Sequence, residues 1–169
     1  MSMKTKLVDI TLLPVDAIVN AAREDLRPGG GVNGAIHAAA GRELADACAR
    51  AGSCPTGKAI ITSAYGLPCR YVVHAVGPVW QGGLANEAEL LRQTYRSALQ
   101  VAHDHRCESV ALPAISAGLS GYPLDQAAEI AVEVTSAALD AEAFLEEVIF
   151  ACYSEAELVA YSEALGALT

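Results

Sequence analysis

Apolar residues recur along the chain in two alternating rhythms. Short β-branched runs occur at 4–10 (KTKLVDI), 15–22 (VDAIVNAA), 58–65 (KAIITSAY), 70–77 (RYVVHAVG), 108–115 (ESVALPAI) and 146–153 (EEVIFACY), and these predict strands. Between them lie stretches with apolar residues at helical spacing. Residues 33–52 predict one helix with Gly52 at its C-cap, and 86–105 a helix capped by Asn86 with an acidic first turn. Residues 124–142 follow Pro123, and 154–168 open with Ser154 as cap and Glu157 completing a capping box. Strands alternating with helices predict one α/β domain over residues 1–169, with a mixed, mainly parallel sheet covered by helices.

Composition narrows this picture. Hydrophobic residues make up 53% of the 169 and aromatics only 5%, so the expected core is aliphatic. A formal net charge of −9 argues against a general nucleic-acid surface or an anionic-membrane partner, because phosphate contacts need clustered Lys and Arg. One buried phosphate site built from backbone dipoles stays compatible with that charge. The cysteines (48, 54, 69, 107 and 152) are odd in number and show no CxxC spacing. With no signal peptide and no apolar run of spanning length, reduced thiols in a cytoplasmic setting are expected.

The glycines raise the chemical question. RPGGGVNGAIHAAAG at 27–41 places three consecutive glycines ahead of a helix, either as a flexible turn or as an anion cradle at a helix N-terminus. A second glycine-rich segment, SAGLSGYP at 116–123, also follows a strand and precedes a helix. Ligands of open α/β sheets bind outside the carboxyl ends of the strands, and two such loops suit two linked phosphates. Gly29, Gly31 and Gly34 formally match a dinucleotide fingerprint, but REDLRP separates them from the strand end, against that motif. GSCPTGKA at 52–59 approaches a Walker A loop, yet ends in Ala59 and runs from helix to strand. His103, His105 and Cys107 read as helix-end capping, His74 as a core histidine and Cys152 as core packing. Ser120 sits in GLSGY, which is not a hydrolase elbow.

Taken together, VDIT (8–11), DAIVNAA (16–22), GGGVNGAIHAAAG (29–41), CPTGKAIIT (54–62), YVVHAVGPVW (71–80), PAISAGLSGYP (113–123) and VIFACYSE (148–155) resemble the macro domain family. The resemblance is nearest to the MacroD-type branch that includes bacterial O-acetyl-ADP-ribose deacetylases. It implies a three-layer α/β/α fold with a mixed, mainly parallel central sheet, binding ADP-ribose or its O-acetyl or protein-linked derivatives. Neither a metal nor a cofactor is expected. By position, Asp9 would accept from the adenine amino group beside the Ile10 backbone, and Tyr153 would pack on the adenine. Asn20 would anchor the strand end near the distal ribose. Gly30, Gly31 and Val32 would offer backbone amides, as would Ser116, Ala117, Gly118 and Leu119.

The departures from the family pattern gather at the distal ribose. Arg23 stands where the family's NAAN ends in asparagine, Asn33 where GGGVDG carries an acid, and Ser120 where an aromatic ring is usual. Val8 replaces a glycine, and His37 is retained. The resemblance implies catalytic positions at Asn33 and His37, with Arg23 and Ser120 beside the substrate. An asparagine orients water but does not take its proton near pH 7. Slow hydrolysis at the distal ribose is therefore expected, with binding of ADP-ribose without turnover as the alternative.

Overall fold

The computed structural model describes residues 2–141 and 145–168; the last residue of the helix expected over 124–142 lies outside them. The strands are β1 (Ser2–Leu7), β2 (Ala17–Ala21), β3 (Ala59–Ser63), β4 (Tyr71–Ala75), β5 (Ser109–Leu112) and β6 (Glu147–Cys152). The helices are α1 (Gly31–Ala40), α2 (Arg42–Ala51), α3 (Glu87–Asp104), α4 (Leu124–Ala141) and α5 (Glu155–Gly166), with a 3-10 turn at Ile10–Leu12. The sheet order is β1-β6-β5-β2-β4-β3; β3 runs antiparallel to β4 at one edge, and every other pairing is parallel.

Period-2 alternation sorts the strands into two cores. Val19, Val73, Leu112, Val148 and Phe150 face α3, α4 and α5, whereas Ile18, Val72, Ala111 and Ile149 face α1 and α2. Helices on both faces make three layers, so strands buried on both sides read as continuous apolar runs. The parallel strands all deliver their carboxyl ends to one edge, where both glycine loops emerge.

Several local expectations need correction. The helix expected over 33–52 is two helices, because Gly41 adopts φ +91°, a backbone that closes α1 through its N–H to the His37 carbonyl and starts α2. Helix α1 also begins earlier, at Gly31, so the glycine loop forms its first turn. The first strand stops at Leu7 rather than reaching residue 10. Asp9 accepts from the Thr11 amide (2.9 Å) and hydroxyl (2.7 Å), and this turns the chain into the 3-10 segment. Asn86 has a left-handed backbone (φ +61°) and no side-chain capping bond. Ser154 does accept from the Glu157 amide (3.2 Å), while Glu157 returns its bond to the Tyr153 amide (3.0 Å).

The motifs read as packing behave accordingly. His105 donates to the Val101 carbonyl at the end of α3 (2.9 Å). Cys152 is buried, and that burial pushes its thiol up to about 11.

Candidate functional site

The first glycine loop folds back on itself. A Cβ at Gly34 would collide with the Gly29 carbonyl oxygen, so only glycine allows this approach. Gly31 adopts φ +58°, opening α1 with backbone N–H groups that lack acceptors within the helix. Asn33, in that first turn, locks the loop in place. Its Nδ2 donates to the Arg27 carbonyl (3.1 Å), and its Oδ1 accepts from Asn20 Nδ2 (3.1 Å).

Behind Asn33 a chain of hydrogen bonds runs across the sheet. The Thr62 hydroxyl donates to the Ser63 carbonyl (3.0 Å) and lies 3.0 Å from His74 Nε2. The histidine proton therefore sits on Nε2, leaving Nδ1 to accept from Asn20 Nδ2 (3.1 Å). Burial, with His37 nearby, lowers His74 to about 4, so the ring is neutral. His74 is thus a satisfied core histidine that also fixes which way the Asn20 amide points.

The second loop is held from three sides. Ser116 has φ +65° and donates to the Pro78 carbonyl (2.7 Å), in space that a side chain on Gly77 would fill. The Tyr95 hydroxyl accepts from the Ile115 amide (3.1 Å) and reaches the Pro113 carbonyl (3.2 Å), fixing the strand end before the loop. Trp80 donates its backbone N–H to the Ser120 carbonyl (2.9 Å) and packs on Tyr122. The segment carrying Trp80 is shaped by Glu87, whose carboxylate accepts from the amides of Gln81 (2.8 Å), Gly83 (2.9 Å) and Ala85 (2.6 Å). Burial alone would raise Glu87, but these donors hold it at about 2.

Leu119, 86% exposed, reaches across from the second loop to the backbone of Gly30 and Gly31. Between the loops lies a groove of about 260 Å³. Arg23, Gly30, Gly31, Val32 and Asn33 line one side, and Ser116, Gly118, Leu119 and Ser120 the other. Arg23 lies along Gly29 and pairs with Asp25 (2.8 Å).

Other expected residues stand apart from that groove. Ala117 turns toward the core beneath its loop instead of lining it. Asn20 is 1% exposed, so its side chain meets Asn33 and His74 rather than the groove. His37 is buried one turn along α1 and does not line the groove; burial lowers its pKa, and neither ring nitrogen has a partner among the described residues. Ile10 is a core side chain, leaving only its backbone for contact. Asp9 and Tyr153 meet at the β1–β6 end of the same sheet edge, with the Tyr153 hydroxyl donating to Asp9 Oδ1 (3.3 Å). Bonds from the Thr11 hydroxyl and amide hold Asp9 below the ordinary carboxylate range, leaving it a charged acceptor.

Sequence reasoning missed Glu87, Tyr95, Trp80 and the role of His74. Glu87 reads as an ordinary acid in a helix's first turn, and only its position after a glycine-containing loop hints at more. The other three are indistinguishable from core residues by periodicity.

A three-layer α/β/α fold with two glycine loops at the carboxyl edge of its sheet forms a crevice of the kind in which open α/β proteins bind their ligands. The macro domain profile matches residues 19–131, and the chain belongs to the macro domain family. A macro domain-containing protein of Chlorobaculum tepidum is 52% identical over 94% of this chain and 92% of its own. The O-acetyl-ADP-ribose deacetylase of Escherichia coli K12 is 49% identical, covering 96% and 97% respectively. Among solved structures, the Oceanobacillus iheyensis macrodomain with ADP superposes with a TM-score of 0.91 at 38% identity, covering 97% of this chain and 90% of that one. The Trypanosoma brucei macrodomain in complex with ADP-ribose gives 0.92 at 39% identity, covering 97% and 69%.

Proposed function

We propose that this chain is a hydrolase that binds ADP-ribose along the groove and cleaves an ester at its distal ribose, either O-acetyl-ADP-ribose or a mono-ADP-ribosyl ester of a protein. The observation that carries this reading is one continuous carboxyl edge. It holds Asp9 and Tyr153 at the β1–β6 end and, farther along past β5 and β2, the two glycine loops, with Asn33 in the first of them and Arg23 beside it. In this reading Asp9 accepts from the adenine amino group, Tyr153 covers the ring, and the loop amides take the diphosphate. Names of relatives at about half identity over nearly the whole chain support the reaction type. Chain residues 1–169 act as one domain. The free cysteines fit a reducing cytoplasmic setting, and no described helix is long and apolar enough to cross a membrane.

Asn33 orients water through its amide but takes no proton from it, so turnover is slow. His37 stands behind it, one helical turn away, as a neutral imidazole. A binding role without turnover is the second reading. It is favoured by one observation: both polar atoms of the Asn33 amide are already engaged, by Asn20 and Arg27. Calorimetric titration with ADP-ribose, followed by acetate release from O-acetyl-ADP-ribose under single-turnover conditions, separates the two. No binding heat would defeat both readings, and binding without acetate release would leave only the second.

A further inference from the structure

The groove does not end at Arg23. A second chamber of about 370 Å³ opens on its far side, sharing Ala22, Arg23 and Ser120 with the groove as a common wall. It is lined by the buried Val76 and by Gly77 and the exposed Val79 in the segment after β4, with Thr56, Glu24 and Asp25 around them. The sheet order puts β4 next to β2, so the chamber continues the line that runs from β1 and β6 past β5 to β2. Arg23 stands at the junction. Its stem lies along Gly29 of the first loop, and Nη2 is held by Asp25 at 2.8 Å.

We propose that this chamber receives the acyl portion of the ester, that it accepts neutral aliphatic acyl groups longer than acetyl, and that Arg23 is the cation at the ester carbonyl. The proposal rests on the reading that the distal ribose lies at the Arg23 end of the groove. An acyl group on that ribose then has one direction left to extend, across the Ala22–Ser120 wall and onto Val79. Water adds to the carbonyl carbon, and the oxygen that develops negative charge faces the Arg23 guanidinium. The bond from that carbon to the ribose oxygen then breaks. The ribose oxygen keeps one proton of the water, the other passes to solvent, and the acid leaves as a carboxylate paired with Arg23. With Asp25 paired to Arg23, Glu24 is the acid left to repel a tail that ends in its own carboxylate, so the chamber discriminates by charge as well as by length.

The test uses O-acetyl-, O-butyryl- and O-succinyl-ADP-ribose in single-turnover hydrolysis, with ADP-ribose affinity measured alongside. The natural protein should cleave the butyryl ester at least as fast as the acetyl ester, and the succinyl ester about tenfold more slowly. Val79→Trp, at a 60% exposed position outside the groove, should slow the butyryl ester about tenfold while leaving acetyl turnover and ADP-ribose affinity unchanged. Arg23→Gln should slow single-turnover cleavage of both neutral esters by about tenfold with the enzyme saturating, and Arg23→Lys should recover part of that loss. Equal effects of Val79→Trp on acetyl and butyryl esters, or an Arg23→Gln variant that loses ADP-ribose affinity and no turnover, would overturn the assignment. A natural protein that binds no ADP-ribose would overturn the underlying reading, and the chamber's role with it.

Discussion

Replacing Asn33 by aspartate tests the loop geometry and the chemistry in one variant. The side chain is 5% exposed, and its Nδ2 donates to the Arg27 carbonyl at 3.1 Å. Aspartate exchanges that donor for an oxygen, so a carboxylate would face a carbonyl across the same gap. A lost hydrogen bond costs about 1 kcal/mol, and an acceptor left buried without a donor adds roughly 1–3 kcal/mol. The variant should therefore be about 2–4 kcal/mol less stable than the natural protein near neutral pH. The sign with pH follows from the protonated acid, whose O–H replaces the amide as donor to Arg27. Folding thus raises the pKa of this carboxyl. The stability it contributes is present below the unfolded-state value and is lost as pH rises through the folded-state value. Urea unfolding of both proteins at pH about 7.5 and about 4.5 should show curves that converge at the lower pH. In turnover the same carboxylate, pushed off Arg27 toward the groove, becomes a general base. Single-turnover acetate release should then rise, and rise further with pH. Combining it with Arg23→Asn tests whether the two positions act on one ribose, since neighbours seldom act additively. An Asn33→Asp variant as stable as its parent at both pH values would show that the Asn33–Arg27 bond does not hold the loop. Rapid hydrolysis by the natural chain, unchanged or reduced by the substitution, would show that catalysis uses other groups.

Three further outcomes are expected. His74 is held at about 4 against an ordinary 6.5, chiefly by burial and then by His37, so its contribution to stability is complete above pH 6.5 and is lost as pH falls toward 4. That contribution amounts to about 3 kcal/mol, and unfolding of His74→Gln across this range should be correspondingly flatter; parallel profiles would refute it. Asp9→Ala should weaken ADP-ribose binding by about 1.5–3 kcal/mol in calorimetry, the worth of a hydrogen bond to a charged group, and an unchanged affinity would remove Asp9 from the site. Gly31→Glu sets a side chain and a negative charge on a φ +58° backbone beside the groove, so ADP-ribose binding should vanish while the circular dichroism spectrum is kept. Retained binding would mean that the loop is only a turn.

Much of the fold can be read from the chain, because strands buried on both faces produce short β-branched apolar runs, such as AIV in β2 and YVV in β4, between stretches of helical spacing. Gly41 marks where such reading fails. Helical spacing continues through it, and only the φ of +91° reveals two helices. Asp9 fails for a related reason, since a side-chain bond to Thr11 overrides the strand pattern. For the site, the first glycine loop was legible because the chain approaches itself closely at Gly34 and takes a positive φ at Gly31, both of which favour glycine. Asn20 and His37 were recognisable as belonging near the site but not as lying beneath its surface, because depth behind Asn33 depends on packing between β2, β4 and α1. The Glu87 carboxylate was invisible as a loop former, because its donors are backbone amides that leave no mark in the sequence.

That carboxylate has a thermodynamic consequence. The segment carrying Gln81, Gly83 and Ala85 contains its own counter-ion, so its amides are spoken for before any phosphate arrives. Dissolved phosphate or sulfate has no purchase there, and anions in the buffer should compete only at the two glycine loops. The ordering entropy of the segment, and through Trp80 that of the second loop, is charged to folding instead of to association. A recognition surface assembled this way is preorganised. Its ligand meets a finished shape, and encounter should proceed in one kinetic phase, with no slower step of loop closure behind it.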